Sequence, residues 1–124
     1  MNYNMGLNHY LETSVNTAFP AELTLMLQNA LVKHLTKARD SISQNQVQRS
    51  HESILRSQDI LREFQATLDM KYPISQNLML LYDYMKRRLI EANIKKDMEA
   101  IEEVLGFARE LRDSWAIAIK KSPA

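Results

Sequence analysis

The chain has 124 residues, 45% hydrophobic and 25% charged, and its sixteen basic and fifteen acidic side chains leave a net charge of +1. That length supports one hydrophobic core but not two, and so even a charge balance lacks the clustered basic excess expected of a nucleic-acid binder. The absence of cysteine removes disulfides, thiolate catalysis and Cys-ligated zinc, while apolar runs such as Leu78 to Tyr82 fall far short of the roughly 20 residues a bilayer requires.

Met1 to Phe19 is polar and Asn-rich, with Tyr3, Leu7, Tyr10 and Val15 as scattered apolar points. It reads as an N-terminal arm, with a short helix between Leu7 and Ser14. Met1 to Tyr10 lacks the basic start and apolar block of a secretory signal, so a cytoplasmic protein without membrane insertion is expected. Residues 20–120 read as a single helical domain, since two glycines and three prolines leave little room for tight turns.

The first helical segment opens at Pro20, whose missing N–H would be unpartnered there anyway. Leu23, Leu27, Leu31, Leu35, Ala38 and Ile42 recur at the spacing of one helical face, and Asn45 is a natural left-handed stop. The second runs from about Gln46 to Leu68, with Val47, Ile54, Leu61 and Leu68 spaced by sevens and Phe64 between them. Pro73 keeps the residue before it out of helical geometry. The third spans roughly Ile74 to Asn93 along Ile74, Leu78, Leu81, Met85, Leu89 and Ala92, with Asn93 as its stop and Asp97 as the next cap. The fourth carries Met98, Ile101, Leu105, Ala108, Leu111, Trp115 and Ile119. Gly106 inside it costs about 1 kcal/mol against Ala, through either a close neighbouring helix or simple tolerance. Pairs four apart (Glu52 and Arg56, Asp83 and Arg87, Glu91 and Lys95, Arg109 and Asp113) agree with the helical phase. Long helices joined by short connections pack antiparallel to their neighbours. The expected fold is all-α: an antiparallel up-down four-helix bundle with a short N-terminal arm or cap helix.

Catalytic patterns are missing. No Glu is followed three residues later by His, as a di-iron bundle requires. His51-Glu52 opens a zinc-helix pattern, but Leu55 stands where the second histidine belongs. There is no nucleophile elbow, and two glycines build no phosphate loop. Glu99, Glu102 and Glu103 suit the start of a helix dipole as a solvated face. Neither a metal nor a cofactor is expected, and no enzyme activity.

The helices do carry more apolar residues than one core stripe needs. Leu25, Met26 and Val32, with Asn29 among them, lie beside the first helix's stripe. Leu80 and Tyr84, with Tyr82 alongside, do so on the third, and Val104 and Phe107 on the fourth. A bundle helix needs a stripe slightly over 100° wide. The surplus is either a wider core closed by the arm or a set of patches for a partner.

Two runs carry a family resemblance: Ser14-Val15-Asn16-Thr17-Ala18 followed after one residue by Pro20-Ala21-Glu22-Leu23-Thr24-Leu25-Met26-Leu27, and Leu81-Tyr82-Asp83-Tyr84-Met85-Lys86-Arg87-Arg88-Leu89-Ile90-Glu91-Ala92-Asn93. With Ser57-Gln58-Asp59-Ile60-Leu61 and Leu111-Arg112-Asp113-Ser114-Trp115, they make the chain resemble the FliS family of flagellar chaperones from Tyr10 to Trp115. It departs from the family pattern at Thr13 (often Asn), Phe19 (usually polar) and Gln28 (often Tyr). The resemblance implies a cytoplasmic, non-enzymatic export chaperone. Such a protein binds the C-terminal helical segment of flagellin, prevents premature polymerisation and contacts a component of the flagellar export gate, without ATP. Under it, Leu25, Met26, Asn29, Val32, Leu80, Tyr82, Tyr84, Val104 and Phe107 are expected to form the client groove. Leu7, Tyr10 and Val15 of the arm are expected to cover part of it until client displaces them. The alternative is a helical adaptor for a different amphipathic partner helix.

Overall fold

The computed structural model describes residues 21–121, which form four helices and no strand. They are α1 (Ala21–Ser43), α2 (Val47–Thr67), α3 (Pro73–Lys95) and α4 (Met98–Lys121). α1 packs against α2 and α4, and α3 packs against the same two, so the chain forms an antiparallel up-down bundle with α1 and α3 on one diagonal. Pro20 and the arm residues Leu7, Tyr10 and Val15 lie outside the described residues.

Each turn has a local cause. Asn45 takes the left-handed conformation at φ 58°. Around it the Gln46 N–H donates to the Ser41 carbonyl at 2.8 Å and the Asn45 N–H to Ile42 at 3.0 Å, which is the two-bond closure of a Schellman ending. The second connection begins where Leu68 turns extended, and the Asp69 carboxylate accepts the Lys71 N–H at 3.1 Å. Tyr72 is extended, as the residue before a proline should be, and Pro73 itself occupies the first turn of α3.

The third turn corrects an expectation. Asn93 does not end α3; the helix continues to Lys95, and Lys96 takes the left-handed conformation at φ 53°. The Asn93 side chain has another use. Its Oδ1 accepts from Lys96 Nζ at 2.6 Å, which leaves Nδ2 facing His51 Nδ1 at 2.9 Å across to α2. Asp97 does cap α4, its Oδ1 accepting the N–H groups of Glu99 and Ala100 at 3.0 and 3.4 Å. Asp97→Ala should therefore lower the unfolding free energy by about 1 kcal/mol in urea denaturation. No loss would show the cap to be dispensable.

The core matches the predicted stripes closely. Leu31, Leu35, Ile54, Leu61, Met85, Leu89, Ile101 and Leu105 are essentially inaccessible, and Ala38, Ala92, Ala100 and Ala108 fill between them. Two stripe members are exposed: Leu23 at 38% and Val47 at 61%. Both lie in the first turn of a helix, where fewer neighbouring helices reach. α2 also buries a stripe of Ser50, Ser53 and Ser57, and Ser53 borders the α1–α2 seam beside His34 and Lys37. The Ser50 and Ser57 hydroxyls donate to carbonyls of their own helix, those of Val47 at 2.7 Å and Ser53 at 2.9 Å. Between α2 and α3 the larger rings of Phe64 and Tyr82 meet with their centres 5.5 Å apart. Gly106 has no atom within 4 Å of where a Cβ would sit, so no neighbouring helix demands a glycine there.

Surface ion pairs follow three-residue and interhelical geometry rather than the four-residue pairs expected. Asp83 takes Gln65 Nε2 at 2.7 Å and Lys86 at 3.9 Å. Glu91 takes Arg88 at 2.8 Å, and Asp113 takes its neighbour Arg112 at 3.1 Å. Solvent screening keeps each such pair weak.

Candidate binding grooves

Where two helices are held apart by bulky side chains, their outer flanks leave a hollow. The largest such hollow described lies between α2 and α3, about 610 Å³, lined by Gln58, Arg62, Leu80, Asp83, Lys86, Arg87 and Ile90. Its apolar contribution comes from α3. Leu80 is 68% exposed and Ile90 half exposed, and Ile94, one turn further along, is 77% exposed. Leu80, Arg87, Ile90 and Ile94 share one flank of the helix by their three-, four- and seven-residue spacing. Arg62, Lys86 and Arg87 set cations along the same rim, with Arg62 bound to Asp59 at 2.6 Å.

A second hollow of about 300 Å³ lies between α3 and α4, floored by Leu81, Phe107, Leu111 and Ile117 and rimmed by Glu110, Asp113 and Ser114. Above it Tyr84 meets Phe107 edge to face at 6.2 Å, and the Arg87 guanidinium sits 5.9 Å from the Tyr84 ring centre. The Tyr84 hydroxyl donates to Glu103 Oε1 at 2.8 Å, and Arg88 Nε donates to the same oxygen at 2.7 Å while its other arm reaches Glu91. The Arg88 bond first, then the Tyr84 bond, hold the Glu103 carboxyl below its ordinary range. Tyr84 is pushed up chiefly by donating to Glu103, and Arg88 is raised by the same network. These groups keep part of their surface in water, so the network orients the α3–α4 rim more than it stabilises the fold.

The expected client-contact residues divide into three groups. Met26, Asn29 and Leu80 are exposed, and Leu25, Tyr84 and Phe107 are partly buried at the edge of the core. Val32, Tyr82 and Val104 are interior, with Tyr82 stacked on Phe64. Ile90 and Ile94 were not singled out by sequence reasoning. Continuing the Leu80 flank along the helical period to Arg87, Ile90 and Ile94 would have found them.

The α1–α2 seam is different in character. It is polar throughout, and His34, half-buried there, is held below the usual imidazole range by burial first and then by Lys37, Arg56 and Lys33. Among the described residues no three His, Asp or Glu side chains converge as a metal site would require, and no helix is long and apolar enough to cross a membrane.

A ring of four amphipathic helices with apolar hollows on its outside defines an all-α helical-bundle protein. The family model described as flagellar protein FliS matches residues 2–122, and the chain belongs to that family. It is 40% identical to the flagellar secretion chaperone FliS of Bacillus subtilis (strain 168), over 90% of this chain and 84% of that one. It is 35% identical to the chaperone of the same name from Salmonella typhimurium, over 85% of this chain and 80% of the relative. To the Escherichia coli (strain K12) chaperone it is 32% identical, over 85% and 79%.

Proposed function

We propose that this chain is a cytoplasmic, non-enzymatic chaperone that binds the C-terminal helical segment of flagellin. It prevents premature polymerisation and presents the client to a component of the flagellar export gate. Family membership supports the chaperone role. The observation that carries the binding mode is the exposed apolar flank of α3, Leu80, Ile90 and Ile94, beside the α2–α3 hollow. A disordered amphipathic segment presents apolar anchors at helical spacing, and such anchors gain most from a groove that is already apolar and preformed. Met26 and Asn29 on α1, and Tyr84 with Phe107 above the α3–α4 hollow, are further contacts for a client long enough to wrap the bundle. Val32, Tyr82 and Val104 support the groove from inside. Binding alone accounts for the protective effect, with no nucleotide.

Calorimetric titration of the full chain with a synthetic flagellin C-terminal peptide should give saturable heat, and far-ultraviolet circular dichroism should show gained helix. Leu80→Asp combined with Ile90→Asp should weaken binding more than about tenfold, since burying each of these aliphatic side chains is worth on the order of 1.5–3 kcal/mol. An absence of heat and helix gain removes the client reading, and unchanged affinity in the double variant moves the groove elsewhere.

A further inference from the structure

Between α1 and α2 the surface forms a shallow seam, not a deep hollow. Two concavities of about 210 and 220 Å³ run along it and join through shared Lys37 and Arg49. Between His34 and Gln44 the seam is about 15 Å long at 1.5 Å per residue. It is too small for a helix about 10 Å wide, but it matches about five residues of extended chain at 3.3 Å each.

Its chemistry is equally restrictive. The lining holds no aliphatic side chain and no Phe, Tyr or Trp. An amphipathic client helix has nothing to bury there, a nucleobase has no ring platform, and a lipid surface meets no apolar anchor. The lining does hold cations on both banks: Lys37 on α1, Arg49 and Arg56 on α2. Among the described residues none of the three has a carboxylate within ion-pair distance. Arg39, Arg62, Arg88 and Arg112 elsewhere on the bundle do, whereas among the same residues Arg87 and Arg109 stand without one but singly, not on facing banks of one concavity. The seam's own acids are engaged, Asp40 with Arg39 at 3.3 Å and Glu52 with Gln48 at 3.3 Å. Lys33 adds to the positive field felt by His34.

We infer that the α1–α2 seam is a docking site for a short, extended acidic segment of a partner protein, whose carboxylates are gripped from both sides by Lys37, Arg49 and Arg56. The seam is diagonally opposite the α3–α4 hollow and shares no lining residue with the α2–α3 hollow. An occupant here leaves both apolar grooves open, whatever client they take.

The test is fluorescence anisotropy of a fluorescein-labelled penta-glutamate peptide with the full chain. Saturable binding is expected at about 0.02 M salt, weakening about tenfold by about 0.2 M as screening sets in. Lys37→Glu with Arg56→Glu should weaken it about tenfold or more. Lys120→Glu with Lys121→Glu, away from the seam, should leave it unchanged. Circular dichroism should show both variants folded, and the seam variant should still bind the flagellin peptide. Three outcomes overturn the inference: no binding by the native chain, equal loss in the two variants, or tighter seam-dependent binding of oligouridylate or phosphatidylglycerol vesicles than of the peptide.

Discussion

Replacing Trp115 with alanine should lower the unfolding free energy by about 3–5 kcal/mol, and the midpoint of thermal unfolding on the order of 15–30 °C. The indole is buried on α4, and its Nε1–H donates to the Ala21 carbonyl at 3.0 Å. Ala21 is the first described residue of α1, so this one side chain fills the lower end of the core and ties the opening turn of α1 to α4. Truncation leaves a cavity whose neighbours relax only partly, and it removes the donor. Trp115→Phe separates the two effects, because it retains most of the packing and loses the hydrogen bond, for about 1 kcal/mol. If chemical denaturation shows Trp115→Ala losing less than Trp115→Phe is expected to lose, the indole is not the clamp described.

Gln28→Met should do the opposite and raise stability by about 1–3 kcal/mol. Gln28 is only 4% exposed, and its Oε1 has no hydrogen-bond partner among the described residues. A buried amide oxygen stripped of water and given nothing in return is a standing cost, and an apolar side chain of nearly the same shape removes it. The expected result is a higher urea midpoint with an unchanged slope. A lower midpoint would mean that the amide makes a contact worth more than its desolvation. Ser75 on α3, fully buried and with no partner for its Oγ among the described residues, carries the same liability in a smaller group.

Much of the bundle was legible because periodicity and punctuation are local. Leu31, Leu35 and Ala38, and likewise Leu78, Met85 and Leu89, declare a buried face by spacing alone. Asn45 and Asp97 declare ends by side-chain chemistry. What escaped depends on partners distant in the chain. Leu23 and Val47 hold the right phase, but helix ends have fewer neighbours to cover them. Asn93 is a good stop in isolation, yet His51 on α2 and Lys96 recruit its amide, so Lys96 takes the left-handed residue's place. Trp115 reaches a carbonyl 94 residues away, which no local pattern encodes. The candidate site shows the same division. That α3 and α4 carry surplus apolar residues was visible, but which flank stays open was not. Tyr82 turned inward against Phe64, Val104 became fully buried, and Leu80 stayed outside at 68% exposure.

The buried serines of α2 have a role that is dimensional rather than adhesive. With the Ser50 and Ser57 hydroxyls already spoken for by their own backbone, they put only small groups into the interior, so α2 is slimmer there than a Leu or Phe would make it. Larger side chains in their place would have to be absorbed by the surrounding helices, because a close-packed interior has no spare volume to give.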